Sequence, residues 1–186
     1  EQTKKPVDLV IAIDTSNSMN GRKIAAARTS LVDFINLLDD RDRLQVIGFS
    51  TDVFTMTPLS ELGEKRSDIT TRVSAIIESG NTSLYDAVDQ AYNDLLANGD
   101  PRHIRAIVVL SDGMDTASNH SLGEIENLIG ARGEDSGESI KLFTIAYGDD
   151  ADLDVLKTLA EITGGRQYIS DPDTIYKIYS EIATFF

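Results

Sequence analysis

Asp14-Thr15-Ser16-Asn17-Ser18 sets a carboxylate and two hydroxyls at alternate positions directly after the apolar run Leu9-Val10-Ile11-Ala12-Ile13. Short, β-branched and without apolar/polar alternation, that run reads as a strand buried on both faces. If the chain stays extended beyond it, Asp14, Ser16 and Ser18 project to one side. Three oxygens converging at the carboxyl end of a buried strand suit a hard cation. The same residues also suit a loop whose Asp and Ser side chains bond their own backbone and cap the next helix. The pentapeptide alone does not choose between these readings.

Catalytic chemistry finds less to work with. The only histidines are His103 and His120, and there is no Gly-x-Ser-x-Gly elbow, so a serine nucleophile would lack its base. There is no P-loop, and no Gly-x-Gly-x-x-Gly follows a strand. The chain contains no Cys, which excludes disulfides and thiolate chemistry and leaves the redox compartment open. A metal-dependent hydrolase would call for clustered direct carboxylates, whereas hydroxyls dominate here. The expectation is a chain that is not an enzyme.

Composition narrows the partners. A formal net charge of −14 argues against nucleic acid or an anionic membrane surface, because phosphate binding relies on clustered Lys and Arg. Most of the acids read as a solvated, solubilising surface. No apolar run approaches the ~18 residues of a membrane span, so direct membrane insertion is not expected. With 186 residues, 41% hydrophobic and 26% charged, one domain over 1–186 with a core from about 7 to 186 is expected. The start at Glu1, without Met or a signal-like segment, reads as excision from a longer protein.

The elements that would position these residues alternate between strand and helix. Ile24, Ala27, Leu31, Ile35 and Leu38 recur at three and four, predicting a helix to about Asp39. Leu44–Phe49 and Val53–Met56 read as an antiparallel hairpin at a sheet edge, the second strand ended by Pro58. Residues from about Lys65 to Glu78 read as a helix carrying Ile69, Val73, Ile76 and Ile77. After the break at Ser79–Ser83 comes a helix with Leu84, Val88, Ala91 and Leu95 on one face, closed by Gly99 in a left-handed cap before Pro101. Ile104–Leu110 is a second buried strand, running into Ser111-Asp112-Gly113. A helix from Ser121 to about Ala131, a polar loop over Gly133–Gly137, and a third buried strand, Ile140–Tyr147, follow. The chain ends with a helix over Asp152–Ile162, a short strand Gln167–Ile169, and a helix from about Asp173 with Ile175, Ile178 and Ile182 inward.

That alternation predicts an α/β fold: a doubly wound, mostly parallel six-stranded sheet with one short antiparallel edge strand and helices on both faces. Such sheets bind ligands beyond the carboxyl ends of their strands, where the strand order reverses. The first strand and Ile104–Leu110 are natural neighbours at that point, which would bring Asp14 and Asp112 together.

Asp14-x-Ser16-x-Ser18, Thr82 at the head of a helix and Asp112 in Ser111-Asp112-Gly113, in this order and strand context, resemble the von Willebrand factor type A domain and its metal-ion-dependent adhesion site. Asp42-Arg43-Leu44, Leu142–Gly148 and Thr163-Gly164-Gly165 also look familial, so the resemblance runs from about Val7 to Phe186. It implies a Rossmann-like fold in which Ser16 and Ser18 ligate a divalent cation through their hydroxyls. Thr82 would bind directly or through water, and Asp14 and Asp112 would hold waters and hydroxyls from behind. Mg²⁺ is the implied ion, with Mn²⁺ or Ca²⁺ as alternatives. Mg²⁺ prefers an octahedron of oxygens and usually keeps several waters. A shell of neutral hydroxyls leaves it electrophilic enough to take an Asp or Glu carboxylate from a protein partner.

The resemblance therefore implies a metal-dependent protein-binding module, expected to be a monomer. Some related domains instead serve as intracellular scaffold subunits working with ATPases. Ala146-Tyr147-Gly148 and the Glu181–Phe186 segment look similar to bacterial surface proteins, which implies a cell-envelope or extracellular location, with the cytoplasm as the alternative. Asp86 and Asp115 near the rim, His103 and His120 are expected to be surface residues. The Asn81-Thr82-Ser83 and Asn119-His120-Ser121 sequons are expected to be accidental.

Overall fold

A computed structural model describes residues 4–135 and 140–186, with 131–135 given by backbone only. The strands are β1 (Val7–Asp14), β2 (Arg43–Phe49), β3 (Val53–Glu61), β4 (Ile104–Ser111), β5 (Ile140–Tyr147) and β6 (Gln167–Ser170). They form one sheet in the order β3-β2-β1-β4-β5-β6, parallel except for β3 against β2. Every residue of β1 is buried, as its unbroken apolar sequence requires of a central strand covered on both faces.

The helices are α1 (Arg22–Leu37), α2 (Leu62–Ser74), α3 (Leu84–Asn98), α4 (Leu122–Asp135), α5 (Leu153–Ile162) and α6 (Ile175–Ala183). Strand alternation sends Leu9, Ile11 and Ile13 to one face, where they meet Leu31 and Phe34 of α1, Val73 of α2 and Tyr179 of α6. Val10 and Ala12 point to the other face, against Val88 of α3, Ile125 of α4 and Leu159 of α5. The strand order reverses between β1 and β4, whose register pairs Ile13 with Leu110. Asp14 and Ser111 therefore leave the sheet side by side, at the place where such folds bind ligands.

Four expectations are corrected. β3 does not stop at Pro58 but runs to Glu61. It is an edge strand in which a bulge skips Pro58, so the missing N–H breaks no ladder bond. The helix expected over 65–78 is α2, which starts at Leu62 with a non-helical Gly63 and ends at Ser74. Ile76 is buried beyond its end, whereas Ile77 is 76% exposed. Gly99 is extended, with φ −70° and ψ 151°, and makes no left-handed cap. What requires Gly there is space, since a Cβ would lie 2.5 Å from the Leu95 carbonyl oxygen. Finally, α4 continues through Gly133 to Asp135. The rest of the loop expected over Gly133–Gly137 lies outside the described residues.

Candidate metal centre

The site grows from the two strand ends. Asp14 Oδ1 accepts the Ser16 N–H at 2.9 Å, while Oδ2 accepts the Ser111 hydroxyl and the Asp112 N–H, each at 3.3 Å. One buried carboxylate thus fastens the loop after β1 to the loop after β4. Ser18 Oγ donates to Asp112 Oδ1 at 2.8 Å and lies 3.0 Å from Ser16 Oγ. The loop reaches this arrangement differently from the expected extended course. Ser16 is extended, but Asn17–Met19 is a 3₁₀ turn. Extended residues two apart stand about 6.6 Å from each other along the strand, so the turn is what brings the two hydroxyls within contact. The buried Met19 pins it from below.

Thr82 stands at the head of α3 in a segment laced to both loops. Asn17 N–H donates to the Gly80 carbonyl at 3.0 Å, and Ser79 N–H to the Thr15 carbonyl at 2.7 Å. Gly80 has φ +74°, and a Cβ there would lie 2.6 Å from Thr51 Oγ1, so glycine serves both the turn and the close approach. Thr82 N–H donates to Thr116 Oγ1 at 3.0 Å, and the Thr82 carbonyl accepts from Thr116 N–H at 2.8 Å and Ala117 N–H at 3.0 Å. Asp14, Ser16, Ser18 and Asp112 form one hydrogen-bonded cluster. Thr82 is tied to the same loops through its backbone.

Asp14, Asp112 and Ser16 are buried while Ser18 is exposed, so the cluster opens to solvent at Ser18. Burial first, and then the Asp112 carboxylate, push the Asp14 carboxyl up to about 6. Lys23, the second residue of α1, supplies positive charge: its Nζ lies 3.2 Å from Asp112 Oδ2. Among the described residues there is no group of three or more His, Cys, Asp or Glu spaced for a metal. A cation here would rest on hydroxyls, a set that suits a hard ion retaining its waters. The Ser16–Ser18 and Ser18–Asp112 separations of 3.0 and 2.8 Å are ordinary hydrogen bonds, which gather the two hydroxyls at one point in front of the carboxylates.

Sequence reasoning missed Lys23 and Thr116. A signal for Lys23 existed: a cation in the first turn of a helix opposes the helix dipole and calls for a local reason. Thr116 carried none. Asp86 and Asp115, expected to be solvated, organise the rim instead. Asp115 Oδ2 accepts the Tyr85 N–H at 2.9 Å, and Asp86 accepts the N–H groups of Asn119 and His120 at 2.8 and 3.0 Å. His120 is exposed as expected, its Nδ1 2.7 Å from Asp86. His103 is not a plain surface residue, because its Nδ1 lies 2.8 Å from the buried Asp8.

The chain matches the model of the von Willebrand factor type A domain over residues 8–180. It is 28% identical over 193 residues to human inter-alpha-trypsin inhibitor heavy chain H4, covering 97% of this chain and 20% of that protein. It is 26% identical over 191 residues to human heavy chain H2, covering 96% and 20%. The chain thus spans about a fifth of the length of these curated relatives. Among solved structures, a von Willebrand factor type A protein from Catenulispora acidiphila superposes with TM-score 0.83 at 21% identity, over 96% of this chain and 42% of that one. Proximal thread matrix protein 1 from the mussel byssus, with zinc in its metal-ion-dependent adhesion site, superposes with TM-score 0.79 at 15% identity, over 97% and 46%. On the family match, which covers most of its length, this chain belongs to the von Willebrand factor type A domain family.

Proposed function

We propose that the chain is a metal-dependent protein-binding module whose divalent cation is held by Ser16, Ser18 and Thr82 with Asp14 and Asp112 in support. Mg²⁺ is the ion proposed first, with Mn²⁺ or Ca²⁺ as alternatives. The observation that carries this reading is the gathering of the Ser16 and Ser18 hydroxyls, 3.0 Å apart, beside the buried carboxylates of Asp14 and Asp112 at the carboxyl end of the sheet. The zinc-occupied site of the mussel protein supports a divalent cation in this fold. When bound, the cation supplies an electrophilic position that an Asp or Glu carboxylate of a partner protein completes.

The chain's own residues do the rest. Asp14 holds the Ser16 N–H and the Asp112 N–H, fixing both loops before any ligand arrives. Asp112 orients the Ser18 hydroxyl. Thr116 fixes the backbone of Thr82 at the head of α3. The exposed Asn17, Ser18, Asn20 and Met114 form a rim against which a partner surface can seat. Binding without catalysis, by a monomeric domain that is one part of a longer protein, is the reading we adopt. A cell-envelope or extracellular setting agrees with neighbours of the same fold such as the type V pili tip protein Mfa5 of Porphyromonas gingivalis and the PilB minor pilin of Streptococcus sanguinis.

Calorimetric titration of Mg²⁺ and Mn²⁺ into chelator-stripped protein tests the proposal. Saturable binding at one site, lost in a Ser16→Ala/Ser18→Ala variant that keeps its fold, is the expected result. Binding that the double variant retains would move the cation elsewhere and overturn the reading.

A further inference from the structure

Among the described residues, Lys23 is the one basic side chain placed on the carboxylates of the site. Its Nζ lies 3.2 Å from Asp112 Oδ2, and the lysine side chain is only 26% exposed. Asp112 is then satisfied on both oxygens, Oδ1 by the Ser18 hydroxyl and Oδ2 by the ammonium. The placement is enforced from three sides. Gly21, with φ +72°, caps α1 and starts the helix just before Lys23. The Tyr147 hydroxyl donates to the Lys23 carbonyl at 2.8 Å and fixes its backbone. The end of the lysine passes over Gly148, where a Cβ would come within 3.2 Å of Cε and 3.3 Å of Nζ. Gly148, at φ +88°, therefore leaves a slot that this side chain fills.

Nothing about the helix favours a cation in that slot. Lys23 occupies the first turn of α1, where the dipole and the free N–H groups disfavour positive charge. What it gains is Asp112. Together Asp14 and Asp112 bring two carboxylates into a buried cluster, and burial of like charges is costly without a counter-charge.

Resting on the metal reading above, we propose that Lys23 is the resident counter-ion of the site and sets the threshold at which a divalent cation binds. With no cation present, its ammonium neutralises Asp112 and keeps the loops after β1 and β4 together. A divalent cation entering beside Ser18 meets that ammonium as a like charge and must displace it or bear its repulsion. Lys23 thus stabilises the cation-free fold and weakens cation binding, so that a partner's carboxylate is needed to complete a tightly held site. The recognised partner is then one that brings negative charge, which meets both the cation and the released ammonium.

The test compares wild type with Lys23→Met, Lys23→Gln and Lys23→Arg by Mg²⁺ calorimetry and by thermal melts with chelator and with saturating Mg²⁺. Both neutral variants should bind Mg²⁺ about tenfold more tightly, equivalent to about 1.4 kcal/mol. They should also melt lower than wild type in chelator and gain more from Mg²⁺, because the counter-charge is gone and ligand stabilisation follows affinity. Lys23→Arg, which keeps the charge, should stay within a few-fold of wild type. If wild type binds Mg²⁺ and the neutral variants bind it equally or more weakly, the counter-ion role is overturned while the metal reading stands. If neither wild type nor the neutral variants bind, both fall.

Discussion

Asp8 and Asp14 sit at opposite ends of β1, neither exposed to solvent, and they meet opposite electrostatic fates. Asp8 accepts Arg43 Nε at 2.8 Å, with Arg43 Nη2 as a second donor, the Asp100 N–H at 2.7 Å and His103 Nδ1 at 2.8 Å. Burial works to raise its carboxyl, but Arg43, the Asp100 N–H and His103 outweigh it and hold the group below the usual carboxylate range. Asp14 receives N–H and hydroxyl groups but no cation, and burial together with Asp112 pushes it up to about 6. Residue type and strand are shared, but Asp14 lies deeper in the protein and faces a second carboxylate, Asp112, whereas Asp8 meets the positive charge of Arg43. The amino end of the sheet is electrostatically closed. The carboxyl end carries a deficit that Lys23 meets only in part, beside the Ser16 and Ser18 hydroxyls.

The largest effect that would break this contrast lies at the closed end. Asp8→Asn should cost about 3 kcal/mol, because it leaves the half-buried Arg43 without its carboxylate. In a domain of this size that lowers the melting temperature by about 6–12 °C, while Mg²⁺ binding is unchanged. Asp8 also gives the contrast a pH signature. Its folded pKa lies below the ordinary carboxylate value of 3.8. The stability it contributes is therefore present above that value and is lost as pH falls through the folded pKa. Denaturant titrations from pH 5 downward should show wild type losing stability more steeply than Asp8→Asn.

Next comes the open end. Asp112→Ala should weaken Mg²⁺ binding about 10- to 100-fold, as loss of an orienting carboxylate does in other metal sites, measured by calorimetry. Asp14→Asn should lower the melting temperature in chelator by less than Asp8→Asn, corresponding to about 1–2 kcal/mol, because the amide loses one acceptor for the loop N–H groups but no ion pair is broken. A drop as large as that of Asp8→Asn would erase the distinction between the two ends. The smallest effect belongs to His120 on the rim. The Asp86 hydrogen bond, outweighing a slight desolvation, raises its pKa above 6.5. Its charged contribution is thus present below pH 6.5 and fades as pH rises through the folded pKa. Because the pair is exposed, His120→Ala should cost less than about 1 kcal/mol at pH 6, and still less at pH 8.

Much of this was legible in the residues. Three unbroken apolar runs gave the central parallel strands, and the reversal between Leu9–Ile13 and Ile104–Leu110 brought Asp14 to Asp112 across nearly a hundred positions. Non-local pairing hid the rest. Pro58 reads as a strand end unless the strand is known to be an edge with a bulge. Gly99 reads as a left-handed cap unless the Leu95 carbonyl is known to crowd its Cα. The 3₁₀ turn over Asn17–Met19 depends on Gly80 and Met19, so the local sequence showed which oxygens would converge but not how. Asp86 and Asp115 look like any surface acids until the N–H groups they accept are in place.

We propose that the carboxyl end of the sheet holds a divalent cation on hydroxyls. Crystals of the domain soaked in Mn²⁺ after chelation, with anomalous diffraction collected at the manganese edge, test it most directly. One dominant peak is expected at bonding distance from Ser16 Oγ and Ser18 Oγ, with Thr82 Oγ1 bound directly or through one water. A dominant peak on the acidic surface away from these residues, or none at millimolar Mn²⁺, would contradict it.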